Sequence, residues 1–156
     1  MSGLEEKFVQ EAFDTNWIAP VGPHINLFEQ KLSKISKNFF VTALSNGTAA
    51  IHLSLILAGI KENDDVICSS LTFSASANPI KYLRANPIFI DSEDETWNMC
   101  PALLEKAIKE GIKKNKKPKA IILVHIYGMP AKINEIIEIA NRFNIPVIED
   151  AAEALG

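Results

Sequence analysis

The sequence lacks the short motifs that mark several common classes of α/β enzyme. No GxGxxG run occurs, so the usual dinucleotide-binding fingerprint is absent. No GxxxxGK followed by Ser or Thr occurs either, which excludes an ordinary P-loop. Because HExxH and GxSxG are also missing, the sequence encodes neither a zincin nor an α/β-hydrolase.

The sequence has few cysteines and a small net charge. The 156 residues include two cysteines, Cys68 and Cys100, with no CxxC or Cys/His spacing that would suggest zinc. We expect both to be reduced, buried thiols. A formal net charge of -3 gives no electrostatic reason to expect nucleic acid or an anionic membrane as a partner.

Long hydrophobic runs are absent as well. The longest run, AAIHLSLILAGI, contains His52 and is too short to span a bilayer. The first ten residues, MSGLEEKFVQ, carry acids where a secretory signal would have a basic segment and an apolar stretch. These features predict a soluble, cytoplasmic protein with no membrane partner. A chain of 156 residues is long enough for one domain with a hydrophobic core.

The sequence does contain an alternation of β-like runs and helical patterns. The β-like runs are apolar and β-branched on successive positions, which is typical of strands covered on both faces. They are residues 39–44, 65–70, 86–91, 119–126 and 145–150. The helical patterns are residues 25–35, 48–60, 74–83, 101–112 and 131–143. Strands joined by helices predict an α/β fold of three layers, with a largely parallel sheet and helices on both faces.

The loop after the first predicted strand has the sequence SNGTAA. In open parallel sheets, ligands bind at the carboxyl ends of the strands, so these loops matter most. Gly47 permits a tight turn, and Thr48 begins a helix whose exposed N–H groups suit a phosphate. The alternative is a plain N-cap by Ser45, Asn46 or Thr48. The loop alone leaves both open.

Aromatic and histidine side chains follow the second and fourth predicted strands. Phe73 lies among small polar residues, where it could stack on a flat ligand or belong to the core. His125 could be a general base, a ligand contact or a satisfied structural residue. Tyr127 and Gly128 open the loop beyond it.

Acidic side chains occur at two strand ends. Asp150 could bind a metal, act in acid–base chemistry or accept a hydrogen bond from a positively charged ligand nitrogen. We interpret the acid-rich residues 91–95 as a solvated loop and expect no metal there. The basic run at residues 113–119 is interpreted as a solvated helix end, because lysines complement the helix dipole and Pro118 stops the helix.

A phosphate cradle, an aromatic ring and a carboxylate at neighbouring strand ends together describe a pocket for a flat, phosphorylated, cationic ring. Pyridoxal 5′-phosphate (PLP) has these properties. The chain also resembles the DegT-type sugar aminotransferases, fold-type-I PLP enzymes that act on nucleotide-linked keto-sugars. The resemblance covers nearly the whole chain and includes TNWIAPVGPHINLFEQKL, ALSNGTAAIHLSL, AIILVHIYGMPAKINEI and IPVIEDAAEALG. It is greatest for the group that makes 4-amino-6-deoxy sugars on a UDP carrier.

The resemblance implies roles for residues around the cofactor. Thr48 and Ala49 would bind the PLP phosphate, and Phe73 would stack on the ring face. Asp150 would pair with the pyridine nitrogen. Glu153 falls where many relatives carry Gln or His near the ring hydroxyl, and a carboxylate cannot donate there unless it is protonated.

The resemblance also implies contacts with the substrate. Trp17, Gly22 and Pro23 match the entry loop beside the sugar-nucleotide site. His125 and Tyr127 are further candidates for contacts with the substrate or with the residues around it.

The family chemistry requires a lysine that forms the Schiff base and moves the proton. In these enzymes the lysine lies beyond the EDAAEALG segment, and no lysine of this sequence occupies the matching place. The resemblance therefore implies that residues 1–156 are a partial PLP-binding large domain, cut at both ends. The small domain would also be absent, and the chain alone would be inactive.

The resemblance implies that the parent protein is a homodimeric aminotransferase of polysaccharide biosynthesis. It would move an amino group from glutamate to a nucleotide-linked 4-keto-6-deoxy sugar. An alternative of another class is a non-catalytic module that binds a sugar nucleotide or phosphate. A small flavodoxin-like phosphate-binding domain fits the topology but not the combination of motifs.

Overall fold

The computed structural model describes residues 2–37 and 39–155, which divide after Leu44 into two compact units. The N-terminal unit comprises the described residues up to Leu44, and the C-terminal unit comprises residues 45–155. No helix among the described residues is both long enough and apolar enough to cross a membrane.

The N-terminal unit contains two helices, α1 (Glu5–Asp14) and α2 (Pro23–Ile35). The first turn of α1 carries two glutamates, which the positive end of the helix dipole favours. A proline begins α2, where its missing N–H would have no helical partner. The rings of Phe8 and His24 meet edge to face, with their centroids 5.5 Å apart. Neither helix has a buried residue.

The prediction of a strand at residues 39–44 is wrong. The Phe39 carbonyl accepts a hydrogen bond from Ser33 Oγ at 2.8 Å, and the Ala43 N–H donates to Glu29 Oε1 at 2.8 Å. A strand requires a neighbouring strand to pair its backbone groups, and no described residue pairs with this segment in a sheet. Side chains of α2 bond to these two backbone groups instead.

The C-terminal unit contains a parallel sheet flanked by helices. Its strands are β1 (Asp65–Ser69), β2 (Asn86–Ile90), β3 (Ala120–Val124) and β4 (Val147–Asp150), in the order β2-β1-β3-β4. Its helices are α3 (Gly47–Leu57), α4 (Asn78–Tyr82), α5 (Pro101–Lys113) and α6 (Ile133–Phe143). The predicted α/β class with a parallel sheet is confirmed.

Two buried clusters cover the two faces of the sheet. Successive strand residues point to opposite faces, so neighbours in sequence belong to different clusters. Ile67 and Ile121 pack with side chains of α5 and α6, whereas Val66 and Ile122 pack with side chains of α3 and α4. The helices therefore form layers on both sides of the sheet.

The central and edge strands differ in burial. Every residue of β3 is buried, and β1 is buried except for Asp65, which is half-buried. The edge strands β2 and β4 are mostly half-buried, and Pro87 lies in the edge strand β2, where a missing N–H is tolerated. The predicted coverage on both faces therefore holds for the two central strands but not for the edges.

Three smaller predictions have different outcomes. Both cysteines are free thiols, but only Cys68 is buried, whereas Cys100 is half-buried immediately before α5. The lysines of the basic run at residues 113–119 are exposed at the end of α5 and just beyond it, as predicted. The prediction that Pro118 stops the helix is wrong, because α5 ends at Lys113 and Pro118 is a buried residue that leads into β3.

Candidate functional site

A cavity of about 560 Å³ lies at the carboxyl ends of β1, β3 and β4, within the C-terminal unit. Its volume falls in the range of roughly 300–1,000 Å³ that is typical of cofactor and small-molecule sites. Six of the candidate residues from the sequence line it: Thr48, Phe73, His125, Tyr127, Asp150 and Glu153. The topology therefore brings together residues that are up to 105 positions apart, from position 48 to position 153.

The N-terminus of α3 forms one wall of the cavity. Asn46 is the N-cap, and its Oδ1 accepts a hydrogen bond from the Ala49 N–H at 2.8 Å. The N-cap alternative is thus realised by Asn46. Within the described residues, the N–H groups of Gly47 and Thr48 have no hydrogen-bond partner, so they remain available to a ligand.

Ala49 differs from the other candidates. It does not line the cavity, and its N–H is used by the cap. A phosphate contact by the Ala49 amide would require the bond to Asn46 to be replaced. Gly47, which does line the cavity, offers an amide that needs no such exchange.

Phe73 and Tyr127 supply the exposed aromatic surface of the cavity. Phe73 is 79% exposed, which removes the alternative that it belongs to the core. It lies just before a 3-10 turn, Ser74–Ser76, that follows β1. An aromatic ring left in solvent beside a cavity is suited to stacking on a flat ligand.

Asp150 ends β4 with its carboxylate held by two donors. Its Oδ2 accepts from the Ser76 hydroxyl at 2.6 Å, and its Oδ1 lies 3.4 Å from the Ala152 nitrogen. The negative charge of Asp150 also acts on a thiol of β1. Burial raises the pKa of the Cys68 thiol to about 12, with a further contribution from the Asp150 charge.

His125 is buried and uses both ring nitrogens inside the protein. Its Nδ1 accepts from the Ala131 N–H at 3.0 Å, and its Nε2 lies 3.3 Å from Glu149 Oε2. Because a backbone N–H can only donate, this bonding pattern assigns the ring proton to Nε2. His125 therefore fits the structural alternative better than that of a general base, since neither nitrogen is spare.

The loop after β3 is tied to the segment after β4. The Tyr127 N–H donates to Glu153 Oε2 at 2.8 Å. Tyr127 has a positive φ of 52°, which is unusual for a bulky residue, and Gly128 follows with a φ of 78°. A Cβ atom at Gly128 would lie 2.8 Å from the Glu153 carbonyl oxygen, so this close approach requires glycine.

Glu153 acts as a hydrogen-bond acceptor in this arrangement, a role that an ionised carboxylate can fill. Its Oε2 orders the Tyr127 backbone, and this contact needs no proton on the carboxylate. The candidate contact of Glu153 with a ring hydroxyl stays a prediction.

Asn98, which the sequence analysis does not identify, holds the backbone of the same loop after β3. It is buried, its Oδ1 accepts from the Ile126 N–H at 2.9 Å, and its Nδ2 donates to the Met129 carbonyl at 2.9 Å. Burying an amide requires such partners, because an unpaired polar group in the interior is costly.

The acid-rich segment after β2 is only partly solvated. Lys132 bridges Glu93 and Glu95, with Nζ–Oε2 distances of 3.1 and 2.8 Å. The pKa of Glu93 is lowered to about 2, first by the Thr96 hydroxyl that donates to it and then by further donors including Lys132. The described residues contain no group of three or more His, Cys, Asp or Glu side chains that could hold a metal ion. The prediction of a solvated loop therefore holds for the exposed acids Asp91, Asp94 and Glu95, and it is wrong for Glu93, whose side chain is 10% exposed.

Trp17, Gly22 and Pro23 belong to the N-terminal unit. Gly22 has a φ of 146°, and a Cβ atom there would lie 3.2 Å from the Trp17 ring. Pro23 is the first residue of α2. These three residues form one local structure, and their predicted contact with substrate stays a prediction.

The arrangement in the C-terminal unit can hold a flat anionic ligand. Two backbone amides at a helix N-terminus attract a phosphate. An exposed phenyl ring offers a stacking surface, and a fixed carboxylate can accept a charge-assisted hydrogen bond from a ring nitrogen. These features fit the phosphate, the planar ring and the pyridine nitrogen of PLP.

Comparison with known proteins places the chain in a family. The model of the DegT/DnrJ/EryC1/StrS aminotransferase family matches residues 2–156. The chain therefore belongs to this family. It is 51% identical over 156 residues to EpsN of Bacillus subtilis, a provisionally named pyridoxal phosphate-dependent aminotransferase, and covers 40% of that protein. It is 44% identical over 156 residues to GDP-perosamine synthase of Escherichia coli O157:H7 and covers 41% of it.

Solved structures show the same fold. A DegT/DnrJ/EryC1/StrS aminotransferase from Brucella abortus matches 92% of the chain with a TM-score of 0.87 and 35% identity. NtdA from Bacillus subtilis, solved with the bound cofactor PMP, matches 100% of the chain with a TM-score of 0.88 and 30% identity. The chain covers 39% and 35% of these two structures. It thus spans well under half the length of the relatives it matches.

Proposed function

We propose that the chain is the cofactor-binding part of a PLP-dependent aminotransferase that acts on a nucleotide-linked sugar. The observation that carries this proposal is the cavity, in which the α3 N-terminus, Phe73 and Asp150 lie together at the strand ends. Membership of an aminotransferase family and the solved relative that contains PMP support the same cofactor.

Each part of the cavity has a role in this proposal. The Gly47 and Thr48 amides bind the phosphate, and Phe73 stacks on the ring. Asp150 accepts a hydrogen bond from the pyridine nitrogen and so favours its protonated form. When bound, PLP supplies an electron sink for the amino-group transfer. Glu153 keeps the Tyr127 backbone in place beside the ring.

The amino donor and acceptor follow from the family resemblance. We propose glutamate as donor and a 4-keto-6-deoxy sugar on a nucleotide as acceptor. Relatives named GDP-perosamine synthase, in Escherichia coli and Caulobacter vibrioides, support GDP as a carrier to be tested beside UDP. Trp17, Gly22 and Pro23 remain the proposed entry loop for this substrate.

Further parts of the proposal concern the whole protein and what this chain does without the rest of it. The lysine that the chemistry requires and a smaller domain would lie outside residues 1–156, so the chain alone is proposed to bind PLP weakly and not to turn over. The whole protein is proposed to be a cytoplasmic homodimer.

The half-reaction with glutamate tests the proposal. The native protein that contains this chain is loaded with PLP and mixed with glutamate, and the formation of 2-oxoglutarate is measured. We expect stoichiometric formation in the wild type, followed by turnover when a keto-sugar nucleotide is added. Asp150→Asn removes the charge that pairs with the ring nitrogen and should abolish both reactions. Asp94→Asn, a change at an exposed acid outside the cavity, serves as the matched control.

A non-catalytic binding module is the competing interpretation. Such a protein would bind the sugar nucleotide or phosphate with no formation of 2-oxoglutarate in the native protein under any loading with PLP. That result would contradict the proposed enzyme and leave the cavity as a binding site.

A further inference from the structure

The carboxylate of Asp150 is the end of a short chain of hydroxyl groups. The Ser76 Oγ lies 2.6 Å from Asp150 Oδ2, and the Thr72 Oγ1 lies 2.7 Å from the same Ser76 Oγ. Ser76 is 1% exposed. Ser76 and Asp150 are 74 positions apart in sequence; Ser76 lies in the 3-10 turn after β1, and Asp150 ends β4.

The direction of each hydrogen bond among these groups follows from which of them can donate and which can accept. An ionised carboxylate has only acceptor sites, so the single proton of the Ser76 hydroxyl points to Asp150. The Ser76 Oγ then acts as an acceptor toward Thr72, whose hydroxyl must supply the other proton. Thr72 Oγ1 also lies 3.3 Å from the Phe73 carbonyl, which is a longer contact. The sequence of donation is therefore Thr72 to Ser76 to Asp150.

The hydrogen bonds from these hydroxyl groups leave one oxygen of the Asp150 carboxylate for a ligand. Oδ2 accepts the short bond from Ser76, whereas Oδ1 has only the long contact of 3.4 Å with the Ala152 nitrogen. Hydrogen bonds that share a hydroxyl polarise one another, so the donation by Thr72 strengthens the bond from Ser76 to Asp150. The carboxylate is fixed in rotation by a buried partner, with Oδ1 as the oxygen that has spare acceptor capacity.

The 3-10 turn holds Ser76 in the position that this contact requires. The Ser76 N–H donates to the Phe73 carbonyl at 3.0 Å, and the Ala77 N–H donates to the Ser74 carbonyl at 3.0 Å. Pro79 at the start of α4 is buried next to this turn. The turn therefore positions the proposed stacking ring of Phe73 and the hydroxyl of Ser76 together.

We infer that Ser76, supported by Thr72, is a positioning residue that orients Asp150 toward the pyridine nitrogen of the cofactor. This inference rests on the proposed function. It assigns to the SSLTFSASAN segment a second task, besides carrying Phe73, which is to determine which oxygen of Asp150 meets the ligand.

The test uses PLP that carries ¹⁵N in its pyridine ring, bound to the native protein that contains this chain. The nitrogen chemical shift separates a protonated ring nitrogen from an unprotonated one, and a titration gives the dissociation constant. Five variants are compared with the wild type: Ser76→Ala, Ser76→Thr, Thr72→Val, Asp150→Asn and Ser74→Ala. Ser74 is an exposed serine in the same turn and is the matched control for loss of a hydroxyl.

The inference predicts a graded result. The wild type shows the protonated shift, and Asp150→Asn loses it. Ser76→Ala moves the shift toward the unprotonated value and weakens PLP binding on the order of tenfold, the size expected for a lost hydrogen bond to a charged group. Ser76→Thr retains the hydroxyl and restores both readouts, while Ser74→Ala matches the wild type. Thr72→Val changes both readouts in the same direction as Ser76→Ala, but less.

Two results would overturn the inference, and they can be told apart. In the first result, Asp150→Asn loses the protonated shift, but Ser76→Ala keeps both the shift and the PLP affinity of the wild type. The hydroxyl groups of Ser76 and Thr72 then play no part in positioning Asp150, even if Ser76→Ala lowers the melting temperature. If Asp150→Asn also leaves the shift unchanged, Asp150 does not meet the ring nitrogen. The proposed role of Asp150 and the inference built on it then fail together.

Discussion

The two compact units of the chain differ in what their apolar side chains do. In the C-terminal unit, apolar residues from three strands and four helices form two buried clusters, and half-buried residues of β4 pack against them. In the N-terminal unit, neither helix has a buried residue, and several large apolar side chains are exposed, including Phe13, Ile18, Val21, Phe28 and Ile35. Along α2, Ile25 and Leu32 are half-buried, whereas Phe28 and Ile35 are exposed.

This difference separates the candidate residues into two groups. Those in the C-terminal unit are held by a packed sheet, so the distances between them support conclusions about the chemistry of the site. Trp17, Gly22 and Pro23 lie in the N-terminal unit, where none of the described residues is buried, so conclusions about these three residues rest on local contacts.

The largest expected effect comes from removing the same side chain in the two units. Leu104 on α5 is fully buried, whereas Leu27 on α2 is 43% exposed. We expect Leu104→Ala to lower the free energy of unfolding by about 2–5 kcal/mol, because it removes buried methyl groups and leaves a cavity. Leu27→Ala should cost about 0.5 kcal/mol or less. Urea unfolding of the native protein measures both, and equal losses would contradict the contrast between the units.

A smaller difference is expected between two glycines with positive φ. Alanine at Gly128 would place a Cβ 2.8 Å from a backbone oxygen of Glu153, and backbone cannot easily move. Alanine at Gly22 would place it 3.2 Å from the Trp17 ring, which is a side chain and can shift. Both changes add backbone strain of about 1–3 kcal/mol. Gly128→Ala should cost more and should also weaken PLP binding.

Thermal unfolding and PLP titration of both glycine variants provide the check. Gly128→Ala that binds PLP as the wild type does would show that the contact between the two loops is not needed for the site. Gly22→Ala is expected to leave PLP affinity unchanged, because Gly22 is proposed to contact the sugar nucleotide and not the cofactor.

The smallest expected effect concerns pH. The pKa of Glu93 is lowered from 4.5 to about 2 in the folded state, chiefly by the Thr96 hydroxyl. A depressed carboxyl pKa stabilises the fold above pH 4.5, and this contribution is lost as the pH falls toward 2. We therefore expect Glu93→Gln and Thr96→Val to flatten the decline in unfolding midpoint between these values.

The N-terminal unit supplies the control for this pH experiment. Glu11 lies 3.9 Å from His24 Nε2 with its side chain half exposed, and exposed pairs contribute little. Glu11→Gln should leave the acid decline unchanged. The account of Glu93 fails if Glu93→Gln behaves in the same way as Glu11→Gln.

The sequence predicts the local elements of the C-terminal unit well. All four of its strands overlap the predicted runs, and α3, α5 and α6 lie where apolar periodicity and turn residues indicate, because these signals come from neighbouring residues. The helix predicted at residues 74–83 is instead a 3-10 turn, Ser74–Ser76, followed by the short helix α4. The strand predicted at residues 39–44 fails because pairing depends on a partner distant in sequence, and composition does not supply one. Helix α1 was not predicted, although Phe8 and Ala12 are four positions apart and fit a helical period.

The candidate site shows the same limit. Motifs at strand ends identify Phe73 and Asp150 because parallel topology gathers those ends at one edge. Thr48 lines the same cavity, although the segment before it is not the strand that the sequence predicts. They do not identify Ser76, whose partner is 74 positions away, or Asn98, which bonds to the loop after β3. A serine in a polar loop gives no sequence signal that separates a buried hydroxyl from the exposed Ser74 beside it.

A crystal structure of the native protein grown with PLP tests the central claim most directly. The account predicts the cofactor in the cavity at the strand ends, with its phosphate on the Gly47 and Thr48 amides and its pyridine nitrogen within about 3 Å of Asp150 Oδ1. Phe73 should stack on the ring. PLP bound elsewhere, or bound in this cavity with its pyridine nitrogen away from Asp150, would contradict the account.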